Sequence, residues 1–258
     1  MEAIAIRLND HEIPLKQTKR QIFFRLPWIM LAFNVLILSF YFSYNSDSVA
    51  FANLALDSDY FRQAYRWWTY CLFHLSPMHI GTNMMSWTIY ASMTEWDHGH
   101  WRLLVLQILC AIGGAFGFGW EIRFLKESGI IVAGLSGSIY GILACQLGNI
   151  VLNWSSWEFF RRLWYTSLLI GATVADIIVD IVMYSPDISY SDHVGGFITG
   201  ACAGFVVMGT CKMSKWKKEI EIVSVVLFAM YFVAGMVTLR QMNFVTTTFH
   251  HQIAEYVS

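Results

Sequence analysis

Apolar residues in this 258-residue chain come in seven long blocks separated by polar segments. A helix that crosses a membrane needs about 20 mostly apolar residues. The blocks have roughly this length and cover residues 27–43, 75–94, 102–120, 132–152, 163–184, 193–211 and 220–239. The pattern predicts an all-α polytopic membrane helix bundle with seven spans, of which the second is the weakest because polar residues interrupt it.

The composition agrees with this interpretation. Apolar residues make up 56% of the chain and charged residues 14%. In a soluble domain, about a quarter of all residues are charged. The basic residues lie in short clusters between apolar blocks, so we expect no nucleic-acid partner. The five cysteines form no CxxC pair, which argues against a disulfide framework or a zinc site, and no cofactor is expected.

The distribution of lysine and arginine predicts the orientation. With the N-terminus in the cytoplasm, twelve of these residues lie on the cytoplasmic side and five on the opposite side, as the positive-inside rule requires. The first 26 residues lack the apolar core of a cleavable signal peptide, so the first span would serve as an uncleaved insertion signal. The formal glycosylation sequon at Asn153 would then face the cytoplasm and stay unmodified.

The segment between the first two blocks is rich in aromatic residues, including Tyr60, Phe61, Tyr65, Trp67 and Trp68. Such clusters favour the membrane–water interface. We therefore expect this outer loop to lie on the bilayer, although an ordinary aromatic belt would explain the two tryptophans equally well.

Four polar residues occur at the same predicted depth in the membrane. The second, fourth and sixth spans run in the same direction, and their outer ends carry His79 and Asn83, Ser136, and His193. His79 and Asn83 are four residues apart and share a helix face, as do Ser136 and Tyr140. Polar groups at membrane depth are costly and usually functional.

A stripe of small residues would bring two of these helices together. Gly196 and Gly200 share a face with His193, and the fourth block offers small residues of its own. Glycines at this spacing let two helix backbones approach closely, which would bring the His193 imidazole to the Ser136 hydroxyl. Serine needs such a base to become a nucleophile, and the side chains of His79 and Asn83 could stabilise the resulting oxyanion.

At these residues the chain resembles the rhomboid intramembrane serine proteases. The family's GxSG matches residues 134–137, and its HxxGxxxG matches residues 193–200. The second-span motif matches His74, His79 and Asn83, while Tyr65-Arg66 stands where the family usually has Trp-Arg. The resemblance covers residues 60–211, with four motifs in register.

The resemblance implies a role for each of these residues. Ser136 would be the nucleophile and His193 the base, with Tyr140 stacked on the base. His79, Asn83 and the Ser136 backbone N–H would form the oxyanion hole, and Gly196 and Gly200 would seat the sixth span against the fourth. The substrates would be membrane proteins cleaved in or near a transmembrane segment and admitted between the second and fifth spans.

The resemblance also implies a division of the chain. Residues 1–26 would be a cytoplasmic segment and 27–211 the six-span catalytic core, with its first loop at about 44–74. A basic cytoplasmic linker at 212–219, a seventh span at 220–239 and an exoplasmic tail at 240–258 would follow. A seventh span after the core is typical of the secretase type, found in the secretory pathway or at the cell surface.

Other polar residues favour supporting roles. We expect His74 to support the first loop, and Glu95 and Gly99 to be structural. Asp176 and Asp180 lie four apart in the fifth span without the motifs of an aspartyl protease, which favours structure or gating.

Asp192 precedes His193, but adjacent helical residues point about 100° apart, so the sequence does not favour a triad.

Two other classes of protein remain open. A catalytically silent rhomboid-like protein would bind membrane clients for trafficking or degradation, and a transporter would use His79, Asp176 and Asp180 as a proton path. The first would share the fold but lack the dyad, and the second would need polar residues along a whole pore.

Overall fold

The computed structural model describes residues 7–8, 11–12, 26–44, 48–126, 128–183, 189–208 and 215–241. Within these ranges the side chains of residues 7–8, 11–12, 176, 179–183 and 239–241 lie outside the described part. The backbones of Asp176 and Asp180 therefore belong to a helix, but the predicted roles of their side chains fall outside what the structure describes.

The described part of the chain is almost entirely helical, which confirms the all-α class. Seven helices coincide with the seven apolar blocks: α1 (Trp28–Ser43), α4 (Pro77–His98), α5 (His100–Leu125), α6 (Ser136–Asn153), α7 (Phe159–Met183), α8 (Tyr190–Val207) and α9 (Lys215–Gln241). The loop after α1 holds two short helices, α2 (Val49–Leu54) and α3 (Arg66–Thr69), and a 3-10 turn at Tyr70–Leu72. A second 3-10 turn follows α6 at Trp154–Ser156.

Four two-residue strands complete the secondary structure of the described residues. β1 (Arg7–Leu8) pairs with β2 (His11–Glu12) near the N-terminus, and β3 (Leu56–Asp57) pairs antiparallel with β4 (Ile131–Val132). The second pair joins the loop after α1 to the segment immediately before α6, a connection that hydropathy did not predict.

By length and apolar composition, two described segments qualify individually as membrane spans: His100–Leu125 and Lys215–Thr238. The helix Trp28–Ser43 is apolar but shorter. Two helices thus have the length and apolar composition of membrane spans, while the count of seven spans stays a prediction.

Helices α6 and α8 make the closest backbone-to-backbone contact among the described helices. A Cβ atom added to Gly196 would lie 1.9 Å from the carbonyl oxygen of Gly137, and one added to Gly200 would lie 1.9 Å from that of Gly141. One turn further along, the same atom at Gly204 would meet the Cα of Cys145 at 2.9 Å. The two backbones touch over two helical turns, as the glycine stripe predicted.

Glu95 and Gly99 have structural roles at the other end of α4. The buried Glu95 carboxylate accepts hydrogen bonds from the backbone N–H groups of Ile29 (2.8 Å) and Met30 (2.9 Å). Those N–H groups belong to the first turn of α1 and have no partner within that helix. Gly99 has φ +88° and connects α4 directly to α5.

The two tryptophans of the first loop point into the protein. The indole N–H of Trp67 donates to the carbonyl oxygen of Phe61 (2.8 Å), and that of Trp68 donates to Oε1 of Gln107 on α5 (2.7 Å). Both rings pack against the central apolar core. This placement differs from the aromatic belt that the sequence suggested, because each indole finds a hydrogen-bond partner inside the fold.

We expect the glycine contact to be essential for folding. Gly196→Ala should lower the free energy of unfolding by about 3 kcal/mol or more, because the new methyl group meets a backbone carbonyl that has no room to move. Gly171→Ala is the matched control, since no atom lies within 4 Å of its added Cβ on helix α7. Thermal unfolding in detergent should separate the two variants; equal stability would contradict the contact.

Candidate active site

Ser136 is the first residue of α6, and the segment leading to it is held by the first loop. The β3–β4 pair fixes Ile131 and Val132 against Asp57 and Leu56. Two residues later, the Gly134 N–H donates to the carbonyl oxygen of Tyr70 (3.1 Å). The Ser136 side chain itself is half-buried.

Gly134 lies between Ser136 and His79. Its φ of +144° is one that residues with a side chain rarely adopt. A Cβ atom at this position would lie 2.8 Å from Nε2 of His79 and 3.7 Å from Oγ of Ser136. The imidazole and the hydroxyl are therefore within 4 Å of one point, and only a glycine leaves that point open.

His193 lies in the first turn of α8, with its ring stacked on Tyr140. The ring centroids are 4.3 Å apart and the planes are inclined by 15°. Tyr140 is four residues beyond Ser136 and shares its face of α6. The stack thus places the imidazole beside the helix face that carries the serine, and Tyr190 adds an edge contact at 6.3 Å.

His79 and Asn83 lie in the first two turns of α4. The buried Asn83 amide donates to the carbonyl oxygen of His79 (2.8 Å) and keeps a second N–H, while its Oδ1 has no partner among the described residues. The His79 ring makes a T-shaped contact with His74 at 5.1 Å. The two motif residues therefore lie together at the end of α4 nearest Ser136.

His74 supports the approach to Ser136. Its Nε2 accepts a hydrogen bond from the Leu135 backbone N–H (3.4 Å), so the other ring nitrogen carries the proton. Burial, with a smaller contribution from His79, lowers the pKa of His74 to about 3 and keeps the ring neutral. The predicted supporting role is thus a contact with the residue before the serine.

From the sequence alone, Asp192 is set aside and Tyr70 is missed. Asp192 is buried and bonded to the Tyr70 hydroxyl (2.7 Å), and it faces α6 and the first loop. The only signal for Asp192 was a carboxylate at the edge of an apolar block, and nothing in the sequence pointed to a tyrosine 122 residues away.

The arrangement provides the parts of an acyl-transfer site. A hydroxyl, an imidazole and two further polar side chains meet at one end of the bundle, where the first N–H groups of α6 have no partner within the helix. Such groups can activate a nucleophile and stabilise an oxyanion. No group of three His, Cys, Asp or Glu side chains in the described ranges could hold a metal ion.

Comparison with known proteins places the same residues in a family. Residues 62–210 match the Rhomboid domain, which is more than half of the chain and includes all four sequence motifs.

Relatives with this domain occur in plants and animals. The chain is 27% identical over 138 residues to RHOMBOID-like protein 5 of Arabidopsis thaliana, covering 52% of this chain and 41% of the relative. It is 24% identical over 202 residues to Rhomboid-related protein 3 of Homo sapiens, covering 70% and 48%. RHOMBOID-like protein 6, mitochondrial, of Arabidopsis thaliana is 24% identical over 135 residues, covering 52% and 41%. The matches thus span less than half the length of each relative.

We expect Gly134→Ala to disable the site while leaving the fold intact. The methyl group would displace the His79 imidazole, which it meets at 2.8 Å. The rate at which a fluorophosphonate labels Ser136 should fall about 100-fold, the usual loss for one misplaced catalytic group. Gly129→Ala is the control: it also has a positive φ (+73°) but no atom within 4 Å of the added Cβ. If both variants lost labelling to the same extent, the loss would come from backbone strain at a positive φ and not from contact with His79.

Proposed function

The chain belongs to the rhomboid family, and from this premise we propose that it is an intramembrane serine endopeptidase. It would hydrolyse peptide bonds in or near the transmembrane segments of membrane proteins by a Ser-His dyad. The observation that carries the proposal is the meeting of Ser136, His79 and the Tyr140–His193 stack at one end of the bundle. A silent binding protein would need no such arrangement of a nucleophile, a base and donors.

In the proposed mechanism, Ser136 Oγ attacks the carbonyl carbon of the scissile bond while His193 takes the hydroxyl proton. The Ser136 backbone N–H, His79 and Asn83 stabilise the oxyanion of the tetrahedral intermediate. His193 then returns the proton to the leaving amine, which departs and leaves an acyl-enzyme. A water molecule, deprotonated by the same imidazole, hydrolyses the ester and restores the serine.

The proposed path for substrate lies between α4 and α7. The ends of these helices away from the site are tied together, because Asp97 accepts hydrogen bonds from Arg161 (2.8 Å) and from Tyr165 (2.7 Å). This connection supports a path that opens at the ends near His79. The connected ends of α4 and α7 would then act as the hinge.

We propose that the seven helices on the apolar blocks all cross the bilayer, with residues 1–26 and 212–219 in the cytoplasm and residues 240–258 outside. The seventh span would pack on the six-span core. The protein would be located in the secretory pathway or at the cell surface. The packing of α9 is supported by its contacts. The Tyr231 hydroxyl donates to the Gly113 carbonyl oxygen of α5 (2.7 Å), and Trp120 of α5 donates to Thr238 (2.9 Å). A Cβ added to Gly195 of α8 would lie 2.7 Å from the Tyr231 hydroxyl.

The dyad predicts distinct effects of single substitutions. Ser136→Ala should abolish both fluorophosphonate labelling and cleavage of a single-span substrate in membranes. His193→Ala should also abolish cleavage. It should still bind the substrate, because the base acts only in the chemical steps. His79→Ala should lower kcat about 100- to 1,000-fold, the usual loss for one oxyanion donor.

The wild-type chain serves as the reference in these assays. A folded wild type that neither reacts with the probe nor cleaves any single-span candidate would favour the silent client-binding protein instead. Normal cleavage by His193→Ala would contradict the dyad.

The proposed topology predicts that only a C-terminal glycosylation tag is modified. In microsomes, a tag after residue 258 should gain a glycan and the same tag before residue 1 should not. The natural sequon cannot decide this question, because the Asn153 amide is buried and donates to Asn149 Oδ1 (2.8 Å). Modification of the N-terminal tag would contradict the orientation.

A further inference from the structure

Asp192 is buried in a cradle formed by two glycines. A side chain at either glycine would collide with the carboxylate. A Cβ added to Gly114 would lie 2.3 Å from Oδ1 of Asp192, and one added to Gly137 would lie 2.6 Å from both carboxylate oxygens. The residue is 1% exposed. Helices α5 and α6 thus both leave space for this one carboxylate.

The carboxylate contacts two other parts of the chain. Oδ1 accepts a hydrogen bond from the Tyr70 hydroxyl of the first loop (2.7 Å), and both oxygens lie against Gly137 in the first turn of α6, 2.6 Å from the position of an added Cβ. Glu121 is the acidic neighbour that faces it, and no ion pair of the described residues includes Asp192. Its contacts are therefore those of a hydrogen-bond acceptor between three elements.

These contacts join the backbones next to the two proposed catalytic residues. Gly137 directly follows Ser136, and Asp192 directly precedes His193. The Gly137 N–H belongs to the first turn of α6 and has no partner within that helix. The Asp192 carboxylate lies beside this turn, at the positive end of the α6 dipole, which favours a negative charge there.

The contact does not make Asp192 a third member of a catalytic triad. The His193 ring stacks on Tyr140, whereas the Asp192 side chain points to Gly114 and Gly137. Adjacent side chains on a helix diverge by about 100°. Any effect of Asp192 on the reaction must pass through the positions of Ser136 and His193.

We propose that Asp192 is a positioning residue that fixes the first turn of α6 against the first turn of α8, with Tyr70 as its support. This inference rests on the proposed protease function. It deepens that function by identifying the group that sets the distance between nucleophile and base, and it connects the first loop to the dyad through a single side chain.

The test compares Asp192→Ala, Asp192→Asn and Tyr70→Phe in the full-length protein in detergent. Asp192→Ala should lower kcat about 10- to 100-fold with KM unchanged, because misplacing a reacting group affects the chemical step. Fluorophosphonate labelling of Ser136 should slow by the same factor. Tyr70→Phe should give a smaller decrease of the same kind, since the carboxylate still lies against Gly114 and Gly137.

Asp192→Asn should recover most of the loss. Its amide oxygen can accept from the Gly137 N–H while its NH2 donates to the Tyr70 hydroxyl, which can donate in turn to the carbonyl oxygen of Ala111 at 3.1 Å. Every polar group of the cluster then keeps a partner. A merely structural carboxylate would show a change in thermal stability without this pattern in kcat.

Ser191→Ala is the matched control on the same turn of α8. It removes the hydrogen bond from Ser191 Oγ to Glu121 but leaves α6 untouched, so kcat should stay unchanged. Asp192→Ala with full kcat at a temperature where it is folded would overturn the proposal, as would Asp192→Asn as inactive as the alanine variant. If Asp192→Ala does not fold, a Tyr70→Phe kcat equal to that of Ser191→Ala would overturn it.

The wild-type assay separates this inference from the function on which it rests. A wild type without labelling or cleavage would remove the protease proposal itself, whereas an active wild type with full activity in the Asp192 variants would remove only the positioning role.

Discussion

The backbone contact between α6 and α8 is the constraint on which the site depends. Gly196 and Gly200 lie so close to the carbonyl oxygens of Gly137 and Gly141 that an added Cβ would be 1.9 Å away in each case. In a lipid environment, apolar side chains gain little by leaving the solvent, so close van der Waals packing holds such helices together. Because backbones are stiffer than side chains, this contact fixes the separation of the two helices that carry the proposed nucleophile and base.

The first loop supplies the second constraint, which acts along α6. It grips the chain before Ser136 through the β3–β4 pair and the Gly134–Tyr70 hydrogen bond. The loop is itself organised around buried Arg66, which donates to the carbonyl oxygens of Ala52 (2.8 Å) and Ala55 (2.7 Å). The departure from the family's Trp-Arg pair falls on half-exposed Tyr65, whose hydroxyl donates to Gln63 Oε1 (2.7 Å), the oxygen that also accepts from Arg66 Nε (2.6 Å). The arginine of the pair therefore makes the buried contacts of the loop, and the tyrosine joins the same network from its exposed side.

Much of this organisation could be predicted from the sequence because hydropathy reports depth and helical spacing reports faces. Those two rules placed the helices, brought Ser136, His79 and His193 to one level, and identified Gly196 and Gly200 as a contact stripe. They could not predict the fold of the first loop, whose tryptophans bond inward to Phe61 and Gln107. Nor could they pair Asp192 with Tyr70, since a hydrogen bond between distant residues leaves no periodic signal.

Buried polar side chains of the described bundle are paired across helices in some places and unpaired in others. Away from the site, Gln146 donates to Thr94 across two helices at 2.6 Å, whereas Asn34 Oδ1 is buried without a partner among the described residues. At the site, His74 Nδ1 and Asn83 Oδ1 are buried without a hydrogen-bond partner among the described residues. An unpaired buried group costs about 1–3 kcal/mol, a loss that the tight α6–α8 packing can offset. Full pairing would stabilise the fold further. Because Asn83 Oδ1 is an acceptor, the oxyanion of the proposed mechanism needs donors instead: the second N–H of the Asn83 amide, His79 and the Ser136 backbone N–H.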